Sequence, residues 1–152
     1  MVMVRGMKLI SLAILAFALG ACALVEDPEV AACEAFIKAG LRSPASYSRV
    51  ESVITRREGM TPAQWASREQ ELGSRDVAPY PLPGVAAVDY AFVGLEYDAA
   101  NAYNAPVRSH RNCEFVRPAG EARPSRAALV AEAEQRGRHA RSDDSCCLVT
   151  GD

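Results

Sequence analysis

The chain has 152 residues, 49% hydrophobic and 24% charged, with 17 Lys and Arg against 19 Asp and Glu. Setting aside residues 1–21, which hold Arg5 and Lys8 but no acid, leaves 15 basic and 19 acidic residues, a formal charge of −4. That sign argues against a nucleic-acid partner, because phosphate binding needs clustered positive charge, and a remainder of about 130 residues suits one domain with one modest core.

The first element is an address. Arg5 and Lys8 precede an uncharged apolar run from Leu9 to Leu19, and Leu19-Gly20-Ala21-Cys22 closes it. A basic start, an apolar middle and small residues before a cut are the three parts of a secretory leader; Met7 offers a second, tighter start. This segment resembles a bacterial lipoprotein signal. The resemblance implies cleavage before Cys22 and acyl chains on its sulfur and amine. With Ala23 rather than Asp following, it also implies sorting to the outer membrane, facing the periplasm. Two or more chains anchor stably where one holds only marginally. The competing readings are a plain secreted protein and an uncleaved membrane helix, although the charge-free run Leu9 to Val25 falls short of the ~20 residues that span a bilayer. The expected organisation is a leader at 1–21, a lipidated tether at 22–27, a single α+β domain at 28–141 and a flexible tail at 142–152.

Asp27-Pro28 reads as an N-cap followed by proline at the first helical position. Val30, Cys33, Ile37 and Leu41 then recur at helical spacing with Phe36 flanking, Glu34 and Lys38 make an i, i+4 pair, and Pro44 closes the helix near Arg42. From Ser46 to Arg56, β-branched content and partial alternation predict a strand, with Val50 and Ile54 on one face and Tyr47 and Val53 on the other. Thr61 to Gln64 has capping-box spacing, with Met60 and Trp65 as a hydrophobic staple. The short helix that follows reaches towards Gly73 with a thin apolar face of Trp65 and Leu72.

A proline-rich connector, Ser74 to Gly84, leads into the richest β segment, Val85 to Tyr97. Its alternation changes phase, Val88, Tyr90 and Phe92 on one face and Val93, Leu95 and Tyr97 on the other, which predicts a bulge near Gly94. After an Asn-rich loop from Ala99 to Ala105, Val107 to Val116 returns as the second arm of a hairpin with Val107, Cys113 and Phe115 on one face. Ser125 to Arg141 is helical by composition with Leu129, Val130 and Ala133 as a narrow apolar stripe, and Ser142 to Asp152 shows no periodicity. The fold expected is an N-terminal helix packed on a small antiparallel sheet of about three strands, with an additional short surface helix and a C-terminal helix.

Of five cysteines, four remain once Cys22 is assigned to lipid, and an oxidising envelope permits disulfides. Cys33 on the apolar helix face and Cys113 on the inward strand face form the candidate bridge, against the alternative of two buried thiols. Cys146-Cys147 can be a redox pair, a metal site with His139, Asp143 or Asp144, a link to a partner chain, or an unstructured tail. The spacing of a metal site is missing, and the reading calls for no metal and no cofactor.

His110 and His139 are the two histidines of the chain, the side-chain type suited to acid–base work near neutral pH. No nucleophile elbow, His-Glu-x-x-His helix or phosphate loop is present in the sequence. Asp89, Glu96 and Asp98, with His110, are the residues an envelope hydrolase would use. In the loop, Asn101 and Asn104 can shape the backbone or, with Tyr103 and Arg108, form a polar recognition edge.

Cys33, Ser43-Pro44-Ala45-Ser46-Tyr47 and the run from Tyr97 to Arg108 followed by Cys113 resemble a small uncharacterised bacterial α+β domain covering roughly Glu29 to Arg117. That resemblance implies no known activity. The preferred reading is a non-catalytic, membrane-tethered module that binds or organises another envelope protein or a cell-wall component; the alternatives are an envelope hydrolase and a redox protein of the tail cysteines.

Overall fold

The computed structural model describes residues 26–71, 80–140 and 146–149. Cys22 and the leader lie outside the described residues, as do Leu72, Gly73, Asp143 and Asp144.

Helix α1 (Pro28–Gly40) begins where the Asp27 carboxylate accepts the Glu29 N–H at 3.1 Å with Pro28 at the first helical position. A 3₁₀ turn at Pro44–Ser46 carries the chain into strand β1 (Ser48–Met60). Helix α2 (Pro62–Glu71) follows a reciprocal capping box: the Thr61 N–H donates to Gln64 Oε1 at 2.9 Å and the Gln64 N–H to Thr61 Oγ1 at 3.4 Å. Strands β2 (Val88–Ala100) and β3 (Pro106–Pro118) form the hairpin, helix α3 (Arg126–Gly137) starts at the Ser125 cap, and β4 (Cys146–Val149) closes the order.

The sheet runs β1-β2-β3-β4. Its first three strands are antiparallel, as the sequence predicts. The fourth departs from expectation: Cys146–Val149, inside the segment read as a loose tail, pairs parallel to β3 from Cys113 to Val116. Four residues are too few to display a period, so only the neighbouring strand reveals them.

Helices α1 and α3 cover one face of the sheet. Val30, Cys33, Phe36 and Ile37 of α1 and Leu129 and Ala133 of α3 pack on Ala91, Val93, Leu95, Tyr97 and Ala99 of β2 and on Cys113 and Phe115 of β3. The helices approach closely at Gly137, where a Cβ would stand 2.3 Å from the Phe36 carbonyl oxygen and 3.0 Å from the Ala39 Cβ. A disulfide between Cys33 and Cys113, Cα atoms 5.8 Å apart, ties this layer to the sheet.

On the opposite face, α2 lays Trp65 onto Met60, Val88, Tyr90 and Val116. The first half of β2 is therefore buried on both faces. Here the predicted bulge fails: β2 and β3 stay in register through every residue from Val88 to Ala100, Gly94 included. The change of phase read in the sequence marks two covered faces, not a reversal of facing.

The bulge lies in β1, where Val50 stands between the paired residues Arg49 and Glu51. One extra residue reverses everything after it, so Tyr47 and Ile54, placed on opposite faces by simple alternation, both pack against the helix-side core, while Val50 and Val53 are 45% and 53% exposed. Among the described residues no helix is long and apolar enough to cross a membrane.

Candidate functional site

The hairpin tip is built by one side chain. Asn101 Oδ1 accepts the N–H groups of Tyr103 at 2.9 Å and Ala105 at 3.0 Å, while the Asn101 N–H donates to the Ala105 carbonyl at 2.9 Å. Asn104 adopts φ 62°, the left-handed region that Asn tolerates best after Gly, and donates its N–H to the Asn101 carbonyl. Both asparagines thus act on the backbone of their own loop. Tyr103, held at the summit of this frame, is 92% exposed.

Below the tip the outer face of the sheet is open and polar. Alternation and register set Asp98, Glu96, Gly94 and Phe92 of β2 beside Arg108, His110, Asn112 and Glu114 of β3, with Glu51, Val53, Thr55 and Arg57 of β1 on the other flank. Arg108 grips Asp98 with both arms of its guanidinium, at 2.7 and 3.0 Å, and donates to Glu96 at 3.2 Å. Those hydrogen bonds hold the Asp98 carboxyl below its ordinary value and push Arg108 further up. His110 and Asn112 meet at 2.6 Å. Arg108 belongs to this ionic strip, bonded to Asp98 and Glu96.

Of the residues considered for hydrolysis, Glu96 and Asp98 share Arg108 on the outer face, with His110 opposite Glu96, and Asp89 alone stands apart. Asp89 faces the helix layer, paired with Arg117 at 2.6 Å and accepting the Gly59 N–H at 2.9 Å. Asp98 lies nine strand residues away on the other face, about 30 Å along the strand. A carboxylate pair for glycoside hydrolysis sits within about 10 Å, which separates Asp89 from this chemistry; Glu96 and Asp98 lie closer to each other and are both bound by Arg108. His139 Nδ1 meets the Gln135 carbonyl at 2.8 Å, so it serves the end of α3. Among the described residues no group of three or more His, Cys, Asp or Glu is placed to hold a metal ion.

Two charged arrangements escaped the sequence reading. Glu29, 5% exposed, is held by Arg56 at 3.1 Å and Arg123 at 3.3 Å beside a cavity of about 30 Å³, room for water and little else. Asp27 joins the same Arg56, and its carboxyl is lowered because the hydrogen bonds it accepts outweigh the opposing effect of burial.

Across the sheet, the Arg68 guanidinium lies 4.4 Å from the Tyr90 ring and 5.3 Å from that of Trp65, donates to the Tyr90 hydroxyl and pairs with Glu69. The Tyr90 hydroxyl donates to Glu114 at 2.9 Å, and burial, reinforced by that carboxylate, raises its pKa. The i, i+3 spacing of Trp65 and Arg68 was the one local sign of this cluster. The partners of Glu29 stand 27 and 94 residues away in the chain and left none.

Compared with known proteins, the chain matches no protein family, no curated protein and no solved structure.

Proposed function

We propose that this chain is a lipid-anchored protein of the bacterial cell envelope, acylated on Cys22, held at the outer membrane and facing the periplasm. There it serves as a non-catalytic module that binds or organises another envelope protein or a cell-wall component. The anchor rests on Leu19-Gly20-Ala21-Cys22 and the apolar run before it. From Cys22 to Glu26 the chain extends at most about 14 Å, so acylation keeps the domain against the bilayer. Glu26 and Asp27 are held to the flank of β1 by Arg49 and Arg56.

The binding role is carried by Tyr103. An aromatic ring that is 92% exposed, on a loop already ordered by Asn101, offers large contact area at little ordering cost. The carboxylates that could serve hydrolysis support the same reading, since Asp89, Glu96 and Asp98 are each committed to an arginine.

The test has two parts. Growth of the native host with an alkyne-tagged fatty acid should label the protein and fail to label Cys22→Ser; an unlabelled protein of uncut mass would end the anchor reading. A photo-crosslinking residue in place of Tyr103 should capture one discrete envelope component. Equal capture from a control site on the exposed face of α3, such as Gln135, would remove the tip from consideration.

A further inference from the structure

Among the described residues, strand β1 is one of the two edges of the sheet, thirteen residues long and exposed along nearly its whole length. Natural edges are blunted with bulges, prolines or inward charges. In β1 the irregularities stand only at the ends, between Arg49 and Glu51 and between Arg57 and Met60, and no proline interrupts it. The inward charge, Arg56, is drawn to the helix side by Asp27 and Glu29. What remains is an unbroken window of regular strand, Glu51 to Arg57, paired on one side with β2 and, among the described residues, with no strand on the other.

That window is complementary to itself. Its midpoint is Ile54. Laid antiparallel against its own copy about a two-fold axis through Ile54, it sets Glu51 opposite Arg57 twice, Val53 opposite Thr55 twice and Ile54 opposite Ile54. A two-fold axis perpendicular to the sheet keeps outer faces on one side, so only even shifts of register compete. A shift of two residues one way opposes Val53 to Val53 and Glu51 to Thr55; the other way opposes Val53 to Arg57 and carries Glu51 onto Gly59. Both strand the charges and run the pairing into an irregular end.

The side chains are available for this use. Glu51 and Arg57 are exposed, and among the described residues neither is engaged by an opposite charge. Val53, 53% exposed, is one of the few large apolar side chains left open.

We infer that β1 is a docking edge for a second copy of this chain, joined antiparallel over Glu51 to Arg57 so that one continuous sheet runs through both protomers. The isologous pairing supplies the outward N–H and C=O groups with partners and neutralises two pairs of charges. It does not depend on acylation of Cys22.

The experiment is sedimentation velocity on the full chain in a density-matched detergent, over a concentration series, for wild type, Glu51→Arg, Arg57→Glu and the double exchange. Wild type forms a dimer. Each single variant faces like charges across the axis twice and weakens association by about tenfold or more. The double exchange restores opposite charges and recovers the dimer. A wild type that is monomeric throughout, a dimer indifferent to the single changes, or a double variant no tighter than the singles overturns the proposal. Recovery in the double variant also separates charge pairing from misfolding, which circular dichroism melts of all four proteins check.

Discussion

The bridge between Cys33 and Cys113 closes a loop of 80 residues, so its removal is the perturbation with the clearest magnitude. In the chain-entropy treatment a loop of that length stabilises by ~4.5 kcal/mol at 25 °C. Domains of this size have about 5 to 15 kcal/mol in total, so the reduced protein keeps little reserve. The assay is urea unfolding of the oxidised chain and of the same chain reduced in denaturant and refolded with reductant present.

At a slope of about 1.5 to 2 kcal/mol per molar urea, the midpoint should fall by roughly 2 to 3 M. Both cysteines are fully buried, so reductant added to the folded protein must wait for the core to open. Reduction of this bond, followed by peptide mass mapping to separate it from Cys146 and Cys147, should keep pace with unfolding. A midpoint shift under about 0.5 M, or prompt reduction in native buffer, would refute the reasoning, the first by denying the loop-closure effect and the second by denying the burial.

Gly137→Ala should lower stability by about 1 to 3 kcal/mol even though alanine favours a helix by ~1 kcal/mol, because the new Cβ meets the fixed Phe36 carbonyl at 2.3 Å; thermal melts beside Gly40→Ala, whose nearest contact is 3.3 Å, should show the contrast. Asn101→Ala removes the acceptor of two loop amides and should cost about 1 kcal/mol. Hydrogen exchange should quicken at Tyr103 and Ala105 while the β2–β3 ladder keeps its protection.

Arg108 holds the Asp98 carboxyl below its ordinary 3.8. A depressed folded pKa gives stability that is present above the unfolded value and lost as pH falls through the folded one. The stability difference between wild type and Asp98→Asn, read from urea titrations, should therefore be full near neutrality and shrink below about pH 4; a difference constant with pH would contradict the Arg108 pairing.

Local signals carried far. The Asp27-Pro28 start of α1, the Thr61–Gln64 capping box, the hairpin around Asn101 and the facing of Cys33 and Cys113 were all readable, because each depends on neighbours within a turn or on a period shared along one element. The errors share one cause. The period of two in β2 was read as if one face were wet, and α2 covering Val88 and Tyr90 from the far side broke that assumption. The one-residue insertion at Val50 leaves no mark in composition; its position follows from what β2 offers as partner.

By itself, then, the order of residues determined where helices and strands begin, that one helix precedes a small sheet, and which two cysteines face each other, since capping, backbone propensity and side-chain periodicity act over a few residues. Only the folded molecule decided that Cys146–Val149 adds a parallel strand, that Glu29 is buried between Arg56 and Arg123, that Asp89 is kept from Asp98, and that β1 is an edge of the sheet among the described residues. These are contacts between segments distant along the chain, chosen by how the layers pack, and that choice depends on all the surfaces at once.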